Sequence, residues 1–415
     1  MEKKIKYNNF IFILLFTLLI TACTTTSNVK EKKEQVTSKE KNTSETLSSE
    51  SQEETNIEKK EDYIELLFAG DIMAHSVNYN ISSYDKIYQD VKTYISSADL
   101  AFANIEAPID TKKSASSYPN FNMTKKYVKA AVDAGFDVFS LSNNHTNDQY
   151  LEGIKESNIT MTEISNEAKS EGHKIYFSGL KNGEKADFTY NLIEKNGWKI
   201  LFLPVTELLN RPDSSSYINY VRTDEKSRKN FIEYLSKLKE ENPADLFILS
   251  IHTSEEEYIR SVTDRQENFY NEILKAGVDI LWANHAHIIK NRKIIINKNG
   301  SDKIVMYACG NTISGQRTKP DFSAKNPVSE RDNTGDGLLY KVVLKKQEQG
   351  FVKIDWIKPI FITTYINTAN EYVIKPLSED FVKYLYEVPR NDWAKYIEKR
   401  IKINYKETKD YIEWQ

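Results

Sequence analysis

Short hydrophobic runs that end in polar motifs constrain this chain more than any other feature of its sequence. The runs are rich in Val, Ile, Leu, Phe and Tyr, a composition typical of buried strands in α/β proteins. We predict strands at Ile64–Ala69, Leu100–Asn104, Val138–Ser142, Lys174–Phe177, Leu246–Ile251, Ile280–Ala283 and Ile304–Ala308. A fold that contains these strands has to place several polar motifs at the ends of a sheet.

Amphipathic segments separate the predicted strands and indicate helices that pack on the sheets. We predict helices at Tyr84–Ser97, Lys125–Ala134, Leu151–Ala168, Asp224–Glu240 and Arg265–Ala276. Asn196-Gly197 lies between two β-rich runs and predicts a hairpin, and Gln349-Gly350 predicts a second one. The alternation, together with these antiparallel pieces, predicts an α/β fold: a two-sheet β-sandwich flanked by helices.

We expect residues 63–345 to form this domain and residues 346–415 to add C-terminal strands and a helical extension. The tail from Glu379 is rich in Tyr and Lys and is predicted to be helical. Hydrophobic residues make up 40% of the chain, which is enough for a sizeable core. The net charge is -3 with both signs mixed along the chain, which argues against nucleic acid as a partner.

Four of the six histidines in the chain lie just beyond predicted strands. Carboxylates and asparagines follow other strands, and ligands of α/β folds collect at the carboxyl ends of strands. Mixed nitrogen and oxygen donors suit Mn, Fe, Zn or Ni, and the lack of cysteine among them argues against a structural zinc site. Two metals would need a bridging carboxylate, for which Asp71 and Glu106 are both candidates.

Each motif alone also has an ordinary structural explanation. Gly70-Asp71 is typical of a turn, and Asn104-Ile105-Glu106 of a surface turn. Asn143-Asn144-His145 is compatible with a helix cap, and His252 with a partly buried histidine that its neighbours satisfy. The order of the motifs and their shared position at strand ends favour a functional site.

Six stretches of the sequence resemble the CapA family of capsule-biosynthesis proteins, also called PgsA or the poly-γ-glutamate accessory proteins. In chain order they are "FAGDIM", "ANIEAPI", "LSNNHTND", "SIHTSEEEY", "ILWANHAHII" and "MYACGNTI". The likeness covers residues 63–345 and includes linking segments such as "FNMTKKYVKAAVDAGFDVFSLSNNH". Because that family resembles calcineurin-like metallophosphoesterases, the resemblance implies a four-layer αββα arrangement.

The resemblance also implies roles for individual residues. The implied ligands of two divalent metal sites, for Mn, Fe or Zn, are Asp71, Glu106, Asn144, His252, His285 and His287. Glu106 stands where the phosphoesterases place a bridging acid. The catalytic candidates are His145 and Asp148, with His145 contacting a phosphoryl group or protonating a leaving group. The residues expected to orient ligands or contact substrate are Asn104, Asn143, Glu257, Tyr258 and His75.

The chain departs from the family's pattern around the predicted site. Met73 occupies the position of the histidine in the phosphoesterase Asp-x-His motif, as in the CapA branch, and His75 lies two residues further on. Thr253-Ser254 replaces the family's Trp-Gly. Ala283-Asn284 replaces the glycine before the paired histidines, and Ala286 replaces the proline between them. The resemblance therefore does not define the backbone of the last two loops.

The N-terminal segment is predicted to be a lipoprotein signal at residues 1–23. Three lysines precede an apolar run, Phe10–Ile20, that is short for a membrane-spanning helix. Leu19-Ile20-Thr21-Ala22-Cys23 resembles the lipobox of bacterial lipoproteins, so Cys23 is expected to carry the lipid; a plain cleaved signal is the alternative. Residues 24–62 are rich in Thr, Ser, Glu and Lys and predict a disordered tether. The expected location is the extracytoplasmic face of the bacterial cell membrane.

Three functions are compatible with these observations. The first is a part in making, exporting or anchoring an extracellular anionic polymer such as poly-γ-glutamate, with membrane-embedded capsule synthesis proteins as partners. The second is metal-dependent hydrolysis of another phosphorylated extracytoplasmic substrate. The third is a polymer-binding scaffold without turnover, since one fold serves many chemistries.

Overall fold

Two mixed β-sheets form the centre of the structure, a computed structural model that describes residues 62–415. The first sheet contains β1 (Tyr63–Ile72), β2 (Leu100–Ile105), β3 (Val138–Ser140), β4 (Tyr176–Ser178), β11 (Asn311–Ile313), β12 (Asp336–Lys346), β13 (Val352–Ile366) and β14 (Tyr372–Pro376). Its order is β14-β13-β12-β1-β2-β3-β4, with β11 also paired to β1. β1 to β4 run parallel, so their carboxyl ends lie at one edge.

The second sheet is built in the same way, with parallel strands at its centre. It contains β5 (Asn191–Lys195), β6 (Trp198–Thr206), β7 (Leu246–His252), β8 (Ile280–Asn284), β9 (Arg292–Ile296), β10 (Lys303–Met306) and β15 (Asp410–Trp414). Its order is β15-β9-β10-β8-β7-β6-β5. β6, β7 and β8 are parallel, which brings the ends of β7 and β8 side by side.

Helices cover the outer faces of both sheets. The helices are α1 (Ser76–Tyr79), α2 (Asp85–Tyr88), α3 (Lys92–Ser96), α4 (Lys125–Asp133), α5 (Tyr150–Ser170), α6 (Glu225–Glu241), α7 (Asp264–Lys275), α8 (Glu330–Asn333), α9 (Glu379–Glu387) and α10 (Asn391–Glu407). Apolar faces of α2 to α5 pack on the first sheet, and those of α6 and α7 on the second. The result is the four-layer αββα arrangement expected from the sequence.

Aromatic side chains join the two sheets in the middle of the sandwich. The rings of Phe68 and Phe102 stack with centroids 4.7 Å apart, and Trp282 from the second sheet lies 5.9 Å from Phe68. Trp282 Nε1 donates a hydrogen bond of 2.9 Å to the carbonyl of Ala69. Because Ala69 precedes Gly70-Asp71, this bond fixes the end of β1 against the second sheet.

Both predicted hairpins are confirmed, and so are the helix ends that the sequence indicated. Asn196 and Gly197 have φ of 50° and 75°, as a two-residue turn between antiparallel β5 and β6 requires. β12 and β13 form the second hairpin. Gly135 and Gly277 have φ of 109° and 108° directly after α4 and α7, the left-handed conformation that ends a helix.

Two details of the predicted elements are wrong. The helix predicted at Tyr84–Ser97 is the two short helices α2 and α3, because Val91 N donates to Tyr88 O in a tight turn between them. The helical tail is confirmed as α9 and α10, but the last strand, β15, was not predicted. It pairs in parallel with β9, more than a hundred residues earlier, and no local pattern reports such a pairing.

The segment after residue 345 contributes to both sheets and to their common core. β13 and β14 extend the first sheet, and β15 forms an edge of the second. Phe381 and Leu385 of α9 and Trp393 and Ile397 of α10 are buried in the apolar cluster between the sheets. These helices therefore close one side of the sandwich.

A buried ionic network holds α10 against β12. Asp336 accepts hydrogen bonds from Arg317 Nη1 at 2.9 Å and from Arg400 Nε at 2.7 Å, and all three side chains are 0% exposed. Asn404 and Thr363 donate to the same carboxylate at 2.6 and 2.8 Å. The network therefore joins α10, β12, β13 and the loop that follows β11.

A close approach of two backbones sets the position of Asp71. Gly70 faces Gly310, and Asp71 N donates a hydrogen bond of 3.1 Å to Gly310 O. A Cβ atom on Gly70 would lie 1.8 Å from that oxygen, which no side chain tolerates. The Gly70-Asp71 motif is thus required by the packing of β1 on β11.

The N-terminal predictions concern residues that the structure does not describe. The predicted signal at 1–23 with Cys23, and the tether at 24–62 apart from its last residue, lie outside the described residues. Within residues 62–415, no helix combines the length and apolar character needed to cross a membrane.

Candidate metal centre

The carboxyl ends of parallel strands from both sheets meet in one region. β1 brings Asp71, β2 is followed by Glu106, and β7 ends at His252. The loop after β8 carries His285 and His287. Strand ends that face each other across the sandwich concentrate these donors, as expected for α/β folds.

The six predicted ligands form one buried cluster. Asn144 Oδ1 lies 2.8 Å and His285 Nδ1 3.2 Å from His252 Nε2. Glu106 Oε1 lies 3.7 Å from Nε2 of both His252 and His287. His287 Nδ1 lies 3.4 Å from Asp71 Oδ2. Each of the six residues is within ion-pair or hydrogen-bond reach of another.

The donor atoms fall into two groups that share Glu106. One group is Glu106, His285 and His287, and the other is Asp71, Glu106 and His252, with ligand atoms within 4.8 Å of one another in each. A carboxylate common to two groups is the arrangement that a bridged pair of metal ions needs. Nitrogen and oxygen donors in both groups suit Mn, Fe or Zn.

The surroundings of the Glu106 carboxylate show whether a cation fits this cluster. Both of its carboxylate oxygens are buried and accept no hydrogen bond from residues 62–415. Burial, with the charges of Asp71 and Glu257, raises the pKa of Glu106 well above its ordinary value. A buried carboxylate that accepts no hydrogen bond costs several kcal/mol, and a bound divalent cation would remove that cost. The residues present therefore fit a metal.

Two of the three clustered histidines, His252 and His285, are in the neutral state that metal ligation requires. Burial, with the charge of His285, lowers the pKa of His252 well below its ordinary value, and burial, with the charge of His287, does the same for His285. Both rings are neutral near pH 7, with a nitrogen lone pair available. Burial lowers the pKa of His287 too, but the neighbouring Asp71 outweighs it and raises this pKa.

Asn104 and Asn143 lie behind the cluster and hold its loops. Asn104 Nδ2 donates to Asp71 Oδ1 at 2.8 Å. Asn143 Nδ2 donates to the Ile105 carbonyl at 2.7 Å, next to Glu106. These contacts orient the Asp71 carboxylate and fix the backbone before Glu106, which is how residues around a metal site raise its affinity.

His145 and Asp148, the predicted catalytic pair, differ in position. His145 Nδ1 lies 2.7 Å from Asp148 Oδ2, and the same oxygen accepts the Phe121 N–H at 2.8 Å. His145 lines the cleft beside the cluster. Asp148 is 2% exposed and does not line the cleft, so it positions His145 and does not itself reach a substrate.

The remaining predicted residues lie around the same cleft of about 640 Å³. Glu257 and Tyr258 form part of one wall, with Glu257 Oε1 3.9 Å from His285 Nε2. His75 lies on the wall formed after β1. It is not in either donor group, so it does not replace the ligand lost at Met73.

The loops after β7 and β8, where the sequence departs from the family's pattern, have an unusual backbone. His285, His287 and Tyr258 have φ of 100°, 55° and 64°, in the left-handed region that non-glycine residues rarely adopt. Tyr258 N donates to the Ala286 carbonyl at 3.0 Å, which ties one loop to the other. Strained residues of this kind cluster at functional sites.

Sequence reasoning missed several residues that support the site. Asn311 Oδ1 lies 3.1 Å from His287 Nδ1, and Asn311 belongs to the "MYACGNTI" motif. Glu207 is buried after β6 and pairs with Arg228, while Gln266 donates to it at 2.8 Å. Glu207 N also donates to the His252 carbonyl at 2.9 Å. The signal available was again a polar residue at the end of a strand.

A protein family and two characterised sequences are similar to the part of the chain that contains the cluster. The profile of the family described as "Bacterial capsule synthesis protein PGA_cap" matches residues 65–316. The chain is 28% identical over 302 residues to "Capsule biosynthesis protein CapA" of Bacillus anthracis, which covers 68% of this chain and 67% of that protein. It is 23% identical over 262 residues to "PGA biosynthesis protein CapA" of Bacillus subtilis (strain 168), covering 62% and 64%.

Solved structures align over a similar part of the chain. The calcineurin-like phosphoesterase YfkN from Bacillus subtilis covers 81% of this chain and 99% of its own, with a TM-score of 0.40 and 12% identity. A putative 5'-nucleotidase from Staphylococcus aureus covers 71% and 54%, with a TM-score of 0.39 and 12% identity.

The family profile spans more than half of the chain, and all six clustered donors lie within the matched residues. The same residues include all six sequence motifs in full, and the strands from β12 onward follow them. This chain therefore belongs to the family of bacterial capsule synthesis proteins described as PGA_cap.

Proposed function

We propose that this protein acts in the synthesis, export or anchoring of an extracellular anionic polymer such as poly-γ-glutamate, and that it does so through a divalent-metal hydrolase site. Membership of the capsule synthesis family supports the polymer. Glu106 supports the hydrolase site, because its two buried oxygens accept no hydrogen bond from residues 62–415 and Glu106 belongs to both groups of metal-ligating side chains. A carboxylate in that position calls for cations on both sides.

The chain's own residues have separable roles in this proposal. Divalent cations, when bound, supply an activated water and polarise the bond to be cleaved. Asp148 holds His145 through Nδ1, and Nε2, which lies 3.4 Å from the Asn210 amide nitrogen, is the atom that exchanges a proton with the substrate or leaving group. Asn104 keeps Asp71 oriented toward the cluster. Glu257, at the cleft wall, adds a negative charge near His285.

A turnover assay tests the proposal directly. The full chain, loaded with Mn²⁺, is incubated with poly-γ-glutamate and, separately, with a simple phosphodiester, and polymer length and released product are measured. We expect shortening of the polymer, and a loss of about 10²–10⁴-fold in rate for His145→Ala with metal content unchanged. Turnover of the phosphodiester alone would favour a phosphoesterase with another substrate. Turnover of neither, with metal bound, would leave a polymer-binding scaffold.

The proposed location has its own test. Cys23 is the residue that a lipoprotein signal would acylate, so Cys23→Ala should abolish incorporation of a fatty-acid label into the protein in cells. Cys309→Ala is the matched control, because Cys309 is buried in the core and should not change labelling. Equal labelling of the Cys23→Ala variant and the parent would contradict lipid attachment at this residue.

A further inference from the structure

The cleft beside the metal centre contains cationic and N–H groups that the proposed hydrolysis does not use. His75 lies on the wall formed after β1, while Lys319 and Arg331 come from the segment between β11 and β12. Both cationic side chains are exposed. They face the same space as His145 and His287, so whatever enters the centre passes them.

A backbone contact fixes the proton of His75. Gly315 N–H donates a hydrogen bond of 3.1 Å to His75 Nδ1, so the proton of the neutral ring is on Nε2. Among residues 62–415, no acceptor bonds to that Nε2–H. Burial, then the charges of His287, His145 and Arg331, lowers the pKa of His75 to about 3, so the ring is neutral. His75 therefore presents one N–H donor to the cleft.

Glycine at position 315 is what allows this contact. A Cβ atom there would lie 2.6 Å from His75 Cβ and 2.5 Å from Val77 Cγ2. Both distances are shorter than real Cβ contacts, so any other residue would push the loop away from the imidazole. The ring is held from its other side by the edge of Phe121, with centroids 5.0 Å apart.

Arg331 is a cation without an anionic partner in the described part of the chain. Its guanidinium lies 5.9 Å from the ring centroid of Tyr258, and no ion pair or side-chain hydrogen bond from residues 62–415 engages it. Tyr258 is held in turn by Gln316 Nε2, 3.4 Å from its hydroxyl oxygen. Arg331 lines the cleft together with His75 and Tyr258.

We propose that His75 and Arg331, with Lys319 at the mouth, form a subsite that binds an oxyanion group of the substrate beside the metal centre. A guanidinium and a neutral N–H donor together match the two oxygens of a carboxylate or phosphate. The subsite rests on the proposed function only in that it places this group next to the bond that the centre would cleave. A substrate held there keeps a second, non-reacting anionic group outside the metal cluster.

Binding measurements on matched variants test the subsite. The full chain, loaded with Mn²⁺, is titrated calorimetrically with a γ-linked glutamate oligomer and, separately, with inorganic phosphate, and the metal content of each variant is measured. His75→Asn keeps a polar atom near the Nδ1 position and removes the Nε2–H, whereas His75→Gln restores an N–H near the Nε2 position. Arg331→Gln removes the guanidinium, and Arg222→Gln removes an exposed arginine that does not line the cleft.

We expect His75→Asn and Arg331→Gln each to weaken the oligomer about tenfold, with His75→Gln and Arg222→Gln close to the parent. Weakening of phosphate alone would support the subsite with a phosphate group as its ligand. Unchanged binding of both probes by the variants, or binding of neither by the parent, would overturn it. If the parent retains no metal after loading but its binding of the oligomer still depends on His75 and Arg331, the subsite would stand and the proposed metal hydrolase would be refuted.

Discussion

Replacing both His285 and His287 with alanine is expected to remove most of the bound metal from the protein. Each imidazole belongs to the donor group that also contains Glu106, and His287 contacts Asp71 of the other group. Loss of even a residue behind a metal ligand lowers affinity about 10–100-fold, so loss of two ligands has a larger effect. We expect about one to two metal ions per chain in the parent and almost none in the variant, by elemental analysis after expression with Mn, Fe and Zn.

His173→Ala is the control for this measurement. His173 is also a histidine paired with a carboxylate, Asp137, at 2.8 Å, but it does not belong to either donor group. It should keep the parent's metal content. Added metal should raise the melting temperature of the parent and of His173→Ala, and leave that of the double variant unchanged. Equal metal content in the parent and the double variant would show that the ligands lie elsewhere.

Asp336→Asn is expected to lower the free energy of unfolding by about 3–5 kcal/mol, a large fraction of the stability of a typical domain. The substitution keeps the shape of the side chain but leaves Arg317 and Arg400 buried without a carboxylate. Circular dichroism during urea unfolding measures the change. Asp380→Asn is the matched control, because Asp380 is 91% exposed and pairs only with Lys383, so we expect a change below about 0.5 kcal/mol.

The pH dependence of stability provides a second readout for Asp336. Burial raises the pKa of this carboxyl, but Arg400 and Arg317 outweigh burial and hold it below the ordinary value of 3.8. The stabilisation is therefore present above pH 3.8 and is lost as the pH falls through the lower pKa of the folded state. The Asn variant should lack this part of the acid-induced loss. An acid profile with the same slope in both proteins would contradict the assignment.

Strand positions and the polar motifs at their ends followed from local sequence patterns, while the set of six ligands among those motifs was implied by the resemblance to the CapA family. A hydrophobic run that leads to Asp71 or His252 predicts a buried strand and places that polar residue at the end of the strand. Parallel strands then bring such ends together, so the convergence needed no long-range information. Whether a polar residue lines the site itself or only supports a residue that does, in contrast, depends on tertiary contacts. Asp148 is an example, because only the structure shows it behind His145.

Contacts between distant segments could not be read from the sequence. β15 pairs in parallel with β9, and its five residues have no pattern that separates strand from helix. The ionic network of Asp336 joins residues 64 and 19 positions away in the chain. The left-handed backbone of His285 and His287 also went unpredicted, since only a few per cent of non-glycine residues adopt it.

The direction of β1 has a consequence for how the protein can be mounted on a surface. Tyr63 begins this strand at the end that pairs with Lys345, and Asp71 lies eight residues further along, about 27 Å away at the rise of an extended strand. A bead, a fusion partner or an acyl group attached upstream of Tyr63 therefore meets the sandwich at the end remote from the cleft. Immobilisation through the N-terminal side should therefore leave the cleft accessible to long molecules.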